Sequence, residues 1–194
     1  HGRLVSREVE SAYFQDDLPI REATVLRGHA VRALYLAAGA LDVAAEDGDE
    51  SLFEAVQAQW QATLARRTYL TGGMGARHDG EAFGDDFELP NDRAYSETCA
   101  GVASAMVAWR LLLATGDLRY GDHIERVLYN VVAASPDRTG TAFFYVNPLQ
   151  RSVPGIEPEP GEVSPRAASS QRAPWFDVSC CPTNVARLIA SLGG

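Results

Sequence analysis

The chain has 194 residues, 46% of them hydrophobic and 22% charged, with a formal net charge of -9. That is enough residues for one domain with a sizeable core, in the proportions of an ordinary globular protein. The acidic balance argues against nucleic acid as a partner, since phosphate binding needs a basic surface, and no run of 18 or more apolar residues marks a membrane span.

Residue 1 is His, and the first ten residues carry no signal-peptide pattern. Residues 23–46 are rich in Ala and Leu and set Val25, Ala30, Leu34, Leu36 and Leu41 along an approximate apolar face, which predicts a helix. Residues 50–67 repeat Leu52, Val56, Trp60 and Leu64 at i, i+4 spacing and predict a second. Gly48-Asp49 joins the two: Gly suits the left-handed end of one helix and Asp caps the next. Residues 69–95 hold five glycines and many acids and read as loop. Helices are expected over 98–115 and 119–134, joined by a second Gly-Asp turn at Gly116-Asp117. Thr141-Ala-Phe-Phe-Tyr-Val146 is the best strand candidate. Residues 151–174 carry five prolines and several serines and read as a long flexible insertion. A last helix is expected over 183–192, and the chain stops at Gly194 soon afterwards. Both ends read as cuts in a longer protein. Helical hairpins with a repeated turn suggest an α/α toroid, with a simple helical bundle as the alternative.

Three cysteines are few and odd in number, which does not suggest a secreted disulfide scaffold, and a cytoplasmic location is expected. Two of them, Cys180-Cys181, are neighbours, and a disulfide between adjacent residues is strained. With Cys99 and Glu97 they make four ligands of the kind that hold tetrahedral zinc. Residues i and i+2 of a helix point about 200° apart, so Glu97 and Cys99 share one ion only if the chain there is extended or capping. Pro182 suits a first helical position, placing Cys181 near the cap and Cys180 in an extended stretch before it. Thiols there feel the helix dipole and lose proton affinity. The spacing matches no common zinc finger, and the alternative reading is three small buried hydrophobes. Glu81 lies between Gly80 and Ala82-Phe83, an apolar setting that suits general-acid work. His29 in the first helix reads as a structural residue or a ligand. His78 stands in the glycine-rich loop three residues before Glu81. Tyr145 and Asn147 offer hydrogen bonds to a polar ligand, and His123 reads as a surface residue of a charged helix.

Several strings coincide in order. They are Tyr69-Leu-Thr-Gly-Gly-Met-Gly75, His78, Gly80-Glu-Ala-Phe83, Leu89-Pro-Asn91 and Ala94-Tyr-Ser-Glu-Thr-Cys99. Glu125-Arg-Val-Leu-Tyr-Asn130, Phe144-Tyr-Val-Asn-Pro-Leu149 and Cys180-Cys-Pro-Thr-Asn-Val-Ala-Arg187 follow. Together they resemble glycoside hydrolase family 127, the β-L-arabinofuranosidases, over about residues 13–192. The resemblance implies an all-α fold, the later part of an (α/α)6 barrel with long loops and little strand. Twelve barrel helices do not fit in 194 residues, so residues 1–194 would be part of one catalytic domain. It also implies a small carbohydrate substrate, with possible homodimerisation through domains absent here. Carried over by motif, Glu97, Cys99, Cys180 and Cys181 look like Zn2+ ligands, with Cys180 as the nucleophile and Glu81 as the general acid/base. His29 and Tyr145 look like sugar contacts, and His78 joins them as a candidate. Two other readings stand beside this one. They are a non-catalytic helical domain with structural zinc, and a metal-free α/α-barrel sugar epimerase or glycosidase.

Overall fold

A computed structural model describes residues 7–150 and 171–193. Six α-helices follow one another: α1 (Arg7–Phe14), α2 (Ala30–Asp47), α3 (Glu50–Arg66), α4 (Thr98–Thr115), α5 (Leu118–Val127) and α6 (Cys181–Ser191). A π-helical turn, Leu128–Val132, prolongs α5 and closes with Ala133 N–H donating to the Leu128 carbonyl at 2.7 Å. The fold is mostly helical, as expected.

Both Gly-Asp turns behave as their chemistry requires. Gly48 and Gly116 end α2 and α4 with φ of 66° and 69°. The Asp49 and Asp117 carboxylates then accept from the backbone N–H groups of Leu52 and Arg119.

Three expectations need correction. The first long helix starts at Ala30, not at 23. Gly28 takes φ 65° and packs so closely on the Ala12 carbonyl that a Cβ would lie 2.0 Å from it, and His29 caps the helix instead of lying within it. A short helix, α1, precedes it where none was expected. The 141–146 segment forms no ladder among the described residues. It makes single bridges, Phe143 with Pro136 and Ala173, and Val146 with Glu97. With no neighbouring strand of matching length among the described residues, it makes antiparallel bridges to three different partners.

Helix α4 is the centre. It packs on α2, α5 and α6, while α2 also packs on α3. By length and composition it is apolar enough to cross a bilayer, and in this fold that character fills the core: Ala100, Val102, Ala103, Val107, Ala108 and Leu111 are buried on several of its faces. One core cluster joins α2 to α3, α4 and α5, through Leu34, Leu41, Val56, Trp60 and Leu111. A second gathers Tyr95, Cys99, Tyr145, Val146, Ala173, Phe176 and Cys181, and it encloses the site. Most of the Pro/Ser-rich stretch, 151–170, lies outside the described residues. The residues that follow it are anchored. Ala173 is buried and exchanges two 3.0 Å backbone hydrogen bonds with Phe143, and the Arg172 guanidinium stacks 4.2 Å over Phe144.

Candidate active site and metal centre

Glu97 caps α4 with an extended backbone (φ -62°, ψ 139°), and Cys99 lies in the first turn behind it. That break from helical geometry lets residues two apart reach one point. Cys180 and Cys181 arrive from α6, some eighty residues later, because α6 packs on α4. The four ligand atoms of Glu97, Cys99, Cys180 and Cys181 lie within 4.8 Å of one another and can hold a metal ion. Cys99 Sγ is 3.1 Å from Cys180 Sγ and 3.6 Å from Cys181 Sγ, and the neighbouring pair is 3.8 Å apart. All three cysteines are free.

The expected extended stretch at Cys180 is not found. Its backbone is helical (φ -76°, ψ -31°). The first turn of α6 draws it in: the Thr183 hydroxyl and the Asn184 N–H both donate to the Cys180 carbonyl, at 2.9 and 3.2 Å. Its Sγ therefore has a defined direction. It contacts Glu97 Oε1 at 3.2 Å and the Tyr145 hydroxyl at 3.2 Å. Tyr145, expected as a sugar contact, is buried against the thiol itself.

Burial separates the four donors. Glu97, Cys99 and Cys181 are buried, whereas Cys180 is half-exposed. Hydrogen bonds from Cys181 and Cys99 hold the Cys180 thiol far below its ordinary pKa, and the same bonds push Cys181 and Cys99 up. Burial, and then the Cys180 charge, raise Glu97 well above the usual carboxylate range. Burial is also the main cause of the raised Tyr145 phenol. Glu97 Oε2 is buried with no hydrogen-bond partner among the described residues, an unsatisfied acceptor that a cation would satisfy.

Glu81 is placed by its neighbours. It ends a 3-10 turn, Asp79–Glu81, with φ 51°. Ala82 bridges to both Arg77 and His29, and Phe83 N–H donates to the Gly28 carbonyl at 2.9 Å, so the loop is tied to the residues before α2. The Glu81 carboxylate then lies 3.1 Å from His29 Nε2. His29 Nδ1 accepts from Arg32 N–H at 3.4 Å in its capping role. That assigns the ring proton to Nε2, facing Glu81. Glu81 is also near enough to Glu97 to add to the rise in its pKa, so Glu81 and the four-donor cluster lie in one neighbourhood. His78 is exposed at the rim, its ring edge-on to Tyr95 at 5.1 Å. His123, read as surface, is buried between α4 and α3. Only the flanking residues of α5 are charged, while His123 falls on the buried stripe with Tyr120 and Val127. Sequence reasoning also missed Asn184, whose amide reaches Cys99 Sγ. Its one signal was the three-residue spacing to Arg187 on the helix that carries the cysteine pair.

Residues 3–194 match the profile of the β-L-arabinofuranosidase GH127 catalytic domain. The non-reducing end β-L-arabinofuranosidase of Bifidobacterium longum subsp. longum is 39% identical over 181 residues, 93% of this chain and 27% of the relative. A solved GH127 β-arabinofuranosidase superposes with a TM-score of 0.82 at 41% identity, over 98% of this chain and 27% of that one. A GH127 β-L-arabinofuranosidase from Geobacillus stearothermophilus T6 does so at 0.82 and 44% identity, over 94% of this chain and 28% of that one. The chain spans little more than a quarter of the length of the relatives it matches.

Proposed function

Because this chain belongs to the family of GH127 β-L-arabinofuranosidase catalytic domains, we propose that the full-length protein is a retaining glycoside hydrolase that releases L-arabinofuranose from β-L-arabinofuranosides. One observation carries the reading. Of four clustered donors, three are buried, and the one left partly exposed is Cys180, whose thiol pKa is lowered by hydrogen bonds from Cys181 and Cys99. A purely structural site would shield all four ligands alike.

The donor set fits zinc. Thiolates and a carboxylate are all donors that zinc accepts, and the edge of a tetrahedron with Zn–S near 2.3 Å is about 3.8 Å. The Sγ separations of 3.6 and 3.8 Å approach that edge, and the third, 3.1 Å, is shorter. Glu97 Oε2, buried without a partner, supplies a carboxylate atom ready for a cation. A bound zinc would keep the coordinating thiols deprotonated at neutral pH.

Glu97, Cys99 and Cys181 would serve as permanent ligands, which their burial suits. Cys180 Sγ attacks the anomeric carbon. The bond from that carbon to the leaving oxygen breaks, and Glu81 gives its proton to that oxygen. A thioglycoside to Cys180 results. Glu81, now a carboxylate, takes a proton from water as the water attacks the same carbon, and the C–S bond breaks to return the thiolate. His29 holds the Glu81 carboxyl through its Nε2–H, and the Tyr145 hydroxyl steadies Cys180 between turnovers. His78, at the rim, is left as a contact for the distal part of the substrate.

The test uses the full-length protein and an arabinofuranose-like thiol-directed inactivator. One sugar mass should appear on the peptide containing Cys180-Cys181, with fragmentation placing it on Cys180, and Cys180→Ala should abolish both turnover and labelling while leaving the fold intact. An adduct on Cys181 or on Glu97 would reassign the nucleophile. Cysteines inert to the inactivator in a zinc-loaded protein would favour the structural-zinc reading.

A further inference from the structure

We propose that Asn184 is a positioning residue for the metal centre. It would act through an N–H···S hydrogen bond to Cys99, with its amide orientation locked by Tyr35 and Arg187. The inference rests on the reading that the four donors hold zinc, and it concerns residues outside that donor set.

Three helices meet at this amide. Asn184 Nδ2 lies 3.1 Å from Cys99 Sγ at the start of α4. Its Oδ1 lies 2.9 Å from Arg187 Nη2, one turn further along α6, and 3.1 Å from the Tyr35 hydroxyl on α2. Arg187 in turn donates to the Tyr35 oxygen at 2.6 Å. An amide can usually be placed either way round. Here it cannot. The guanidinium has only donors, so the atom facing it must be the carbonyl oxygen. The NH2 group is then aimed at the sulfur. A sulfur receiving that bond is an acceptor, as a thiolate ligand is.

The arrangement has the logic of an outer partner. Groups that hydrogen-bond to metal ligands orient them and tune their donor strength, and their loss typically costs 10–100-fold in metal affinity. Cys99 is buried in an apolar cluster with Tyr95, Val146 and Phe176, where few groups can offer it a hydrogen bond. The link also has a mechanical side. Asn184 lies on the helix that begins with Cys181 and bonds to the ligand on α4, so it ties together the two helices that supply the donors. Tyr35 brings α2, which begins at His29, into the same network. The acid's holder and the metal ligands are therefore set by one interlocked group of helices.

The experiment measures zinc affinity of the full-length protein by competition with a chromogenic chelator, alongside circular dichroism and the Tm of the metal-free form. Asn184→Leu should bind zinc about 10–100-fold more weakly with an unchanged metal-free spectrum and Tm. In the cobalt-substituted form its thiolate-to-metal charge-transfer band should move to lower energy, because the lost N–H no longer stabilises the sulfur lone pair. Asn184→Asp keeps the shape and the acceptor for Arg187 and Tyr35, so it remains informative if the leucine variant does not fold. It sets an oxygen against the thiolate and should weaken zinc binding at least as much. Unchanged zinc affinity and an unmoved cobalt band in a folded variant would overturn the inference while leaving the zinc site standing. A wild-type protein that binds no zinc would overturn both.

Discussion

Acidification should unfold this domain through one buried histidine. His123 is 3% exposed, its Nε2 sits 3.2 Å from the Ser104 hydroxyl on α4, and its Nδ1 is buried without a partner among the described residues. The Trp60 ring on α3 stands edge-on at 5.1 Å. Burial, and then the charge of Arg126, lower its pKa from 6.5 to about 4. The sign follows directly. The unfolded chain takes up the proton near pH 6.5, while the folded one resists it until about pH 4. The neutral ring's contribution to stability is therefore complete above pH 6.5, declines as pH falls, and is gone below about 4. At about 1.4 kcal/mol per pKa unit, the contribution is about 3 kcal/mol. His123→Leu removes the titration. Chemical denaturation of wild type and variant should be followed between pH 7.5 and 4. Carboxylates titrate in both, so the difference isolates His123: the wild type should lose about 3 kcal/mol more than the variant across that range. Parallel pH profiles would show that His123 is hydrated or protonated in the fold, and would refute the reasoning.

Two further outcomes are expected in the full-length protein. Cys99→Ser should lose most of its zinc, by more than the roughly 10–100-fold that removal of an outer partner costs, and elemental analysis showing full occupancy without Cys99 and Cys181 would contradict the ligand set. Glu81→Gln should slow a substrate with a poor leaving group far more than an activated aryl glycoside, because only the former needs its proton. Equal losses on both would count against the general-acid role.

The helical framework and the chemistry of the donors were legible in the sequence because they rest on local rules. Gly48-Asp49 and Gly116-Asp117 stop one helix with a left-handed glycine and cap the next with a hydrogen bond to a backbone N–H two or three residues on. Glu97 and Cys99, two residues apart, can meet one ion only outside helical geometry, and the extended cap at Glu97 meets that demand. Side-chain surroundings are another matter, since their partners lie far off in the chain. Nothing local placed the Tyr145 hydroxyl on Cys180, 35 residues away, or the Asn184 amide on Cys99, 85 residues away. The same holds for His123. A helix with charged neighbours shows a polar face, but whether one of its residues turns inward depends on where α3 and α4 lie. The strand-like 141–146 segment fails for a related reason: residue type sets a preference for extended backbone, while a ladder needs a partner strand that only the tertiary fold can supply. Sequence alone marked the residues whose side chains can bind a metal or carry a proton. The packing of α6 against α4 decided that the four donors meet, and which cysteine stays partly exposed.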